Sequence, residues 1–258
     1  MTTTTVRSFG LCLAAAALLA FSPSTNAATI IYGDFSGASV DYLGVQESSV
    51  TDPVPLFGAP TVVGNVIDFN PVGFAATATG GGIDLTDGQL DMSIRAKPTY
   101  AVDRVVFSEA GDFSLIGIGT ANTYVQVTAN FFVDIMQVDG VNLGSPVSFT
   151  TQMQFVPVTS GIFTLPANPG AGQLWNGSIT LDLAQALDDA GVSYTLGATL
   201  VKVNLDNQLV ALSESGTYSY IAKKDFKGFS VTTFTVPEPS SFALLLLGGL
   251  GLFFRRNR

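Results

Sequence analysis

The sequence predicts an all-β fold, an antiparallel β-sandwich of the jelly-roll kind with one short helix, and three observations carry that prediction. Short segments rich in Val, Ile, Thr, Phe and Tyr recur between clusters of Gly, Pro, Asn and Asp. The longest of them alternate apolar and polar residues with a period of two. No fixed-period repeat runs through the chain, which sets aside the rival parallel β-helix. Hydrophobic residues make up 47% of the 258 and charged residues only 12%, enough apolar side chain for a substantial core.

The chain divides into residues 1–27, 28–235 and 236–258. The first segment has a polar start with Arg7, an apolar run from Phe9 to Phe21, and small residues up to Ala27. That order is a secretory signal peptide, with cleavage expected after Ala27. The apolar run of 13 residues falls short of the ~20 that a spanning helix needs.

Strands are expected in the body at 30–32, 62–69, 74–79, 90–95, 104–107 and 178–181. The strongest segment is Tyr124 to Val138. There Tyr124, Gln126, Thr128, Asn130 and Phe132 share one face, and Val125, Val127, Ala129, Phe131 and Val133 share the other. Asp139-Gly140 reads as a turn, and Val147 to Val156 as the returning strand. A second hairpin is expected from Leu200–Asn204 and Leu209–Leu212 around Asp206-Asn207, residues that tolerate tight turns. Two last strands, 217–222 and 229–236, are joined by the basic stretch "KKDFKG", which reads as a charged hairpin loop. One helix is expected at 183–190, capped by Asp182 and ended by Gly191.

Composition removes several chemistries. There is no histidine, and the only cysteine, Cys12, lies in the signal peptide. The mature chain therefore has no disulfide, no thiol nucleophile and no His-assisted serine triad. Arg7, Arg255, Arg256 and Arg258 are four of the 11 basic residues, and Glu238 is one of the 20 acids, so the body carries a net charge near −12. That charge repels nucleic acid and anionic lipid.

What remains is carboxylate or binding chemistry. A glycosidase needs two carboxylates across a cleft, and the body's glutamates are Glu47, Glu109 and Glu214, far apart in sequence. Asp84, Asp87 and Asp91 lie near glycines in "GGGIDLTDGQLD" and are candidate calcium ligands. Their spacing fits neither an EF-hand nor a glycine-rich nonapeptide, so a solvated turn is the simpler expectation. No other cofactor is expected. Trp175, the only tryptophan, is either a core plug or an exposed platform for a sugar ring. The threonine pairs at 150–151 and 232–233 form no ladder of the kind an ice surface requires.

The C-terminal segment has three parts. Val236, Pro237, Glu238 and Pro239 come first, then an apolar run from Phe242 to Phe254, then Arg255, Arg256 and Arg258. A helix of 13 residues spans roughly 20 Å of a core about 30 Å thick. The arginines hold the far end in the cytoplasm, and the two prolines keep the first part extended. This tail resembles the PEP-CTERM sorting signal of Gram-negative bacteria, a motif also known as an ice-binding-protein C-terminal motif.

The resemblance implies secretion through the inner membrane, transient anchoring by the short helix, and cleavage near Pro237-Glu238-Pro239 by an exosortase. It also implies association with the cell surface, exopolysaccharide or biofilm matrix. The expected function is a structural or adhesive, non-enzymatic β-sandwich delivered by that route. A carbohydrate-binding module, calcium-dependent or not, is the alternative, and a carboxylate-based glycoside hydrolase ranks behind both.

Overall fold

A computed structural model describes residues 28–224 and 229–237. The segment expected to be a signal peptide, with Ala27, and the apolar run with Arg255, Arg256 and Arg258 lie outside these residues. Within them, no helix is long and apolar enough to cross a membrane.

The strands form two layers. In the first, β1 (Ala28–Ser36), β2 (Val40–Ser49), β6 (Ile83–Ala96), β13 (Ala198–Leu212), β8 (Tyr124–Val138) and β9 (Val141–Gln152) lie side by side, each antiparallel to the next. In the second, the order is β10 (Gln154–Val156), β12 (Gly170–Asp182), β7 (Tyr100–Ile116), β15 (Phe229–Pro237), β4 (Val66–Phe69) and β3 (Thr61–Val63). β14 (Tyr218–Lys223) follows the same edge of β7 as β15 and pairs outward with β5 (Ala75–Thr79). β11 (Ile162–Thr164) closes one end of β8. Among the described residues, strand pairing joins the two layers at Ala198 with Val102, so the sheet is nearly closed.

The alternation read along β8 is the alternation observed. Val125, Val127, Ala129, Phe131 and Val133 are buried, and their neighbours face outward. Aromatic contacts knit the layers together. Phe107 of β7 meets Phe131 of β8 at 4.7 Å, and Phe113 stacks on Phe163 at 4.3 Å. Each such buried ring contributes about 1.5–3 kcal/mol through lost apolar surface. Helix α1 (Leu183–Asp189) forms where expected. Asp182 caps it by accepting from the Gln185 N–H at 2.9 Å, and Gly191 follows it with φ of 67°.

Four local expectations change. The segment from Leu200 to Leu212 is one continuous strand rather than a hairpin. Val201, Val203, Leu205, Leu209 and Ala211 keep strict alternation through Asp206-Asn207, and Asn207 takes a buried place in that series. The segment 62–69 is a hairpin, β3 to β4, because Gly64 adopts φ of 61° and turns the chain. The stretch after Gly82 is strand rather than turn, since β6 begins at Ile83 and pairs with β13 from Ile83 to Arg95. β14 and β15 do not form a hairpin, because both lie end to end on β7.

Candidate functional site

Trp175 is a core residue, 1% exposed. It sits opposite Gly111 of β7. A Cβ at Gly111 would fall 2.7 Å from the indole, so the missing side chain is what lets the ring lie across β7. Phe155 meets the ring edge-on at 5.8 Å. The sugar-platform expectation for Trp175 is therefore corrected, because its faces are covered by protein.

The three aspartates do not converge. On a strand, residues three apart face opposite ways. Asp84 turns to the covered side and accepts from the Thr77 N–H at 2.8 Å. Asp87 and Asp91 turn outward, and Asp91 accepts from Asn204 Nδ2 at 2.7 Å. Among the described residues, no group of three or more Asp, Glu, His or Cys is placed to hold a metal. The proposed set of Asp84, Asp87 and Asp91 is thus corrected by strand geometry. Asp87 instead stands beside Asp206 of β13. Burial first, then the neighbouring Asp206 carboxyl, pushes its pKa up to about 6.

The glutamates occupy three separate places. Glu47 is buried and accepts from the Tyr32 hydroxyl at 2.6 Å and from the Leu56 and Phe57 N–H groups at 3.1 and 2.6 Å. It ties a loop to β2. Glu214 accepts from the Thr120 N–H at 2.6 Å and from the Thr120 and Thr123 hydroxyls. Those hydrogen bonds, the Thr120 N–H foremost, hold its pKa below the usual value. In the groove between α1 and β9 the carboxylates are also engaged: Asp182 caps α1, and Asp189 accepts from Gln185 Nε2 at 2.8 Å.

Glu109 of β7 is different. It is buried between the layers with Asn207 of β13 and Lys223 of β14. One oxygen, Oε2, accepts both from Asn207 Nδ2 at 2.6 Å and from Lys223 Nζ. Phe74 and Trp175 enclose the ammonium at 5.1 and 5.7 Å. The expectation that Lys223 belongs to a charged hairpin loop is corrected here, since it ends β14 with its side chain buried. Sequence reading missed this cluster, because inward placement on three strands is invisible without the register.

The outer face of the first layer is polar. Registered across β6, β13, β8 and β9 are Asp91 with Asn204, Asn204 with Phe132, and Phe132 with Thr150. Asn130 and Gln152 continue the row beside Asp206. Phe132 stands 48% exposed among these groups. Its place on the polar side of the β8 alternation was the signal in the sequence.

The last strand leads into the tail. β15 is held between β7 and β4, with Val236 opposite Ala101 and Pro237 opposite Tyr100. Pro237, which has no N–H to give, stands at the strand end where prolines are tolerated. Glu238 and Pro239 lie beyond the described residues. Residues 235–258 match the model of the PEP-CTERM protein-sorting motif. This chain carries a PEP-CTERM tail.

The PEP-CTERM motif marks the chain as a secreted, exosortase-sorted protein of Gram-negative type. It covers residues 235–258 and leaves the body to be read on its own. No curated protein matches the chain. Among solved structures, the chain is similar to TmCBM61 in complex with beta-1,4-galactotriose, at 11% identity and a TM-score of 0.23, over 84% of this chain and 90% of that one. It is also similar to a loop-swap mutant of Xyn11A from Necallimastix patriciarum, at 9% identity and a TM-score of 0.24, over 81% and 100%. At such scores the likeness places the body with neither.

Proposed function

We propose that the body is a non-enzymatic structural or adhesive component of the cell surface or exopolysaccharide matrix, delivered there by its PEP-CTERM tail. The observation that carries this reading is the junction of tail and body. The motif begins on β15, a strand held between two others, so a cut beyond Pro237 releases an intact sandwich. Support also comes from the body's glutamates, each engaged in interior or loop-tying contacts rather than paired across a cleft. The test is C-terminal peptide mapping of the protein recovered from membrane and extracellular fractions of its producer. Loss of the chain beyond Pro237-Glu238-Pro239, with the body outside the cell, is the expected result. An intact Arg258 found only with membranes rejects it.

A second reading is favoured by the outer sheet face. Amide, hydroxyl and carboxylate groups around one exposed ring are the chemistry that grips a neutral sugar. The body then binds the producer's own polysaccharide through Phe132, Asn130, Asn204 and Thr150. Affinity electrophoresis in that polysaccharide is the measurement. Phe132→Ala weakens retardation roughly tenfold, the loss of a stacking contact. Equal retardation of both proteins, or none of either, overturns this reading.

A further inference from the structure

The interior cluster of Glu109, Asn207 and Lys223 asks for an explanation. A buried ion pair seldom stabilises a fold better than apolar side chains of the same volume. Moreover, two oxygens here are buried without a hydrogen-bond partner, Glu109 Oε1 and Asn207 Oδ1. Orphaned polar atoms of this kind mark strain or chemistry. The arrangement also has a specific form. An amine and a carboxamide hydrogen-bond the same carboxylate oxygen, so they are neighbours across a single atom.

We propose that Lys223 and Asn207 join in an intramolecular isopeptide bond, with Glu109 moving the protons. Glu109 takes a proton from the Lys223 ammonium. The free amine pair on Nζ attacks Asn207 Cγ, the new C–N bond forms, and the carbonyl electrons move onto Oδ1. The surplus proton on Nζ passes through Glu109 to Nδ2. The carbonyl reforms, the Cγ–Nδ2 bond breaks, and ammonia leaves. Of the five protons first held by the ammonium and the amide, one stays on the new amide, three leave with ammonia, and the fifth remains on Glu109. No oxidant and no co-reactant is needed.

The surroundings favour each step. Burial drives the Lys223 pKa down, against the pull of the Glu109 carboxylate, which favours the neutral amine that attack requires. Phe74 and Trp175 keep water from competing. Fixed proximity replaces a bimolecular encounter. Turning the Asn207 amide about its last torsion brings Oδ1 toward Glu109 without changing its shape. In the product, protonated Glu109 donates to the new amide oxygen, and both orphaned oxygens gain a use. The bond ties β13 of the first layer to β14 of the second. It supplies a covalent cross-link in a body that has no cysteine.

Trypsin mapping of the full chain decides the matter. Cuts after Lys202 and Lys224 frame Val203–Lys224, which contains both partners. The expected peptide is lighter than its sequence by one ammonia and resists cleavage after Lys223. A peptide of full mass that is cut after Lys223 overturns the proposal. So does loss of ammonia with Lys223 still cleavable, the mark of a succinimide at Asn207. These readings come from the wild-type protein and stand even if variants misfold. Glu109→Gln slows bond formation on the order of 10²-fold or more, as loss of a general acid–base does. Undiminished bond formation in that variant overturns the role of Glu109.

Discussion

Asp87 shows how one side chain's surroundings set a pH response. Its carboxyl lies beside Asp206, and its pKa rises from 3.8 to about 6. Between those values the folded chain holds a proton that the unfolded chain has released. Stability therefore falls as pH rises through that window, and the loss is complete above it. Asp87→Asn removes the repulsion. The variant is expected to unfold at higher denaturant than wild type at neutral pH and to show a flatter pH profile. Denaturant midpoints on both sides of the window check this. A profile parallel to wild type refutes it. Neither Asp87's neighbour nor its environment was readable beforehand, because Asp206 is 119 positions away in sequence and meets it only through the β6–β13 register.

At the scale of elements, β7 is the strand on which the second layer is assembled. β12 occupies one edge, and β14 followed by β15 occupies the other. Gly111 sits at the crossing. A Cβ there would lie 1.9 Å from the Ala222 carbonyl and 2.7 Å from the Trp175 ring, both fixed by sheet pairing. Gly111→Ala is therefore expected to cost about 1–3 kcal/mol, the usual penalty of overpacking a core. Thermal unfolding measures it, and an unchanged midpoint counts against the packing described. Other elements were legible in advance for plain reasons. The β8 alternation and the capped helix α1 are local signals. The turn expected at Asp206-Asn207 was not realised, because the hydrophobic period on both sides outweighs the turn preference of two residues, and burying Asn207 extends the strand.

At the scale of the whole molecule, the boundary between body and tail matters most. β15 contributes Val231 and Thr233 to the interior, and the Thr233 hydroxyl lies 3.1 Å from that of Tyr42. Ending the chain after Pro237 should leave the unfolding midpoint of the body unchanged. Ending it before Phe229 should remove the strand between β7 and β4 and abolish cooperative unfolding. Circular dichroism melts of the two truncations distinguish the cases. Equal melts would mean that β15 is an appendage rather than part of the fold. A body that survives tail removal is also what the sorting route requires.

Read alone, the amino-acid order determined the route and the fold class. Sorting signals are short and contiguous, so residues 235–258 announce themselves without a fold. Period-two alternation is likewise local, and it declares strands. Tertiary structure alone decided which side chains meet. It placed Trp175 in the core and set Asp84 apart from Asp87 and Asp91. It also brought Glu109, Asn207 and Lys223 to one carboxylate oxygen. The reason is register: a slip of a single residue sends a side chain to the opposite face, and register is settled by packing between strands distant in sequence.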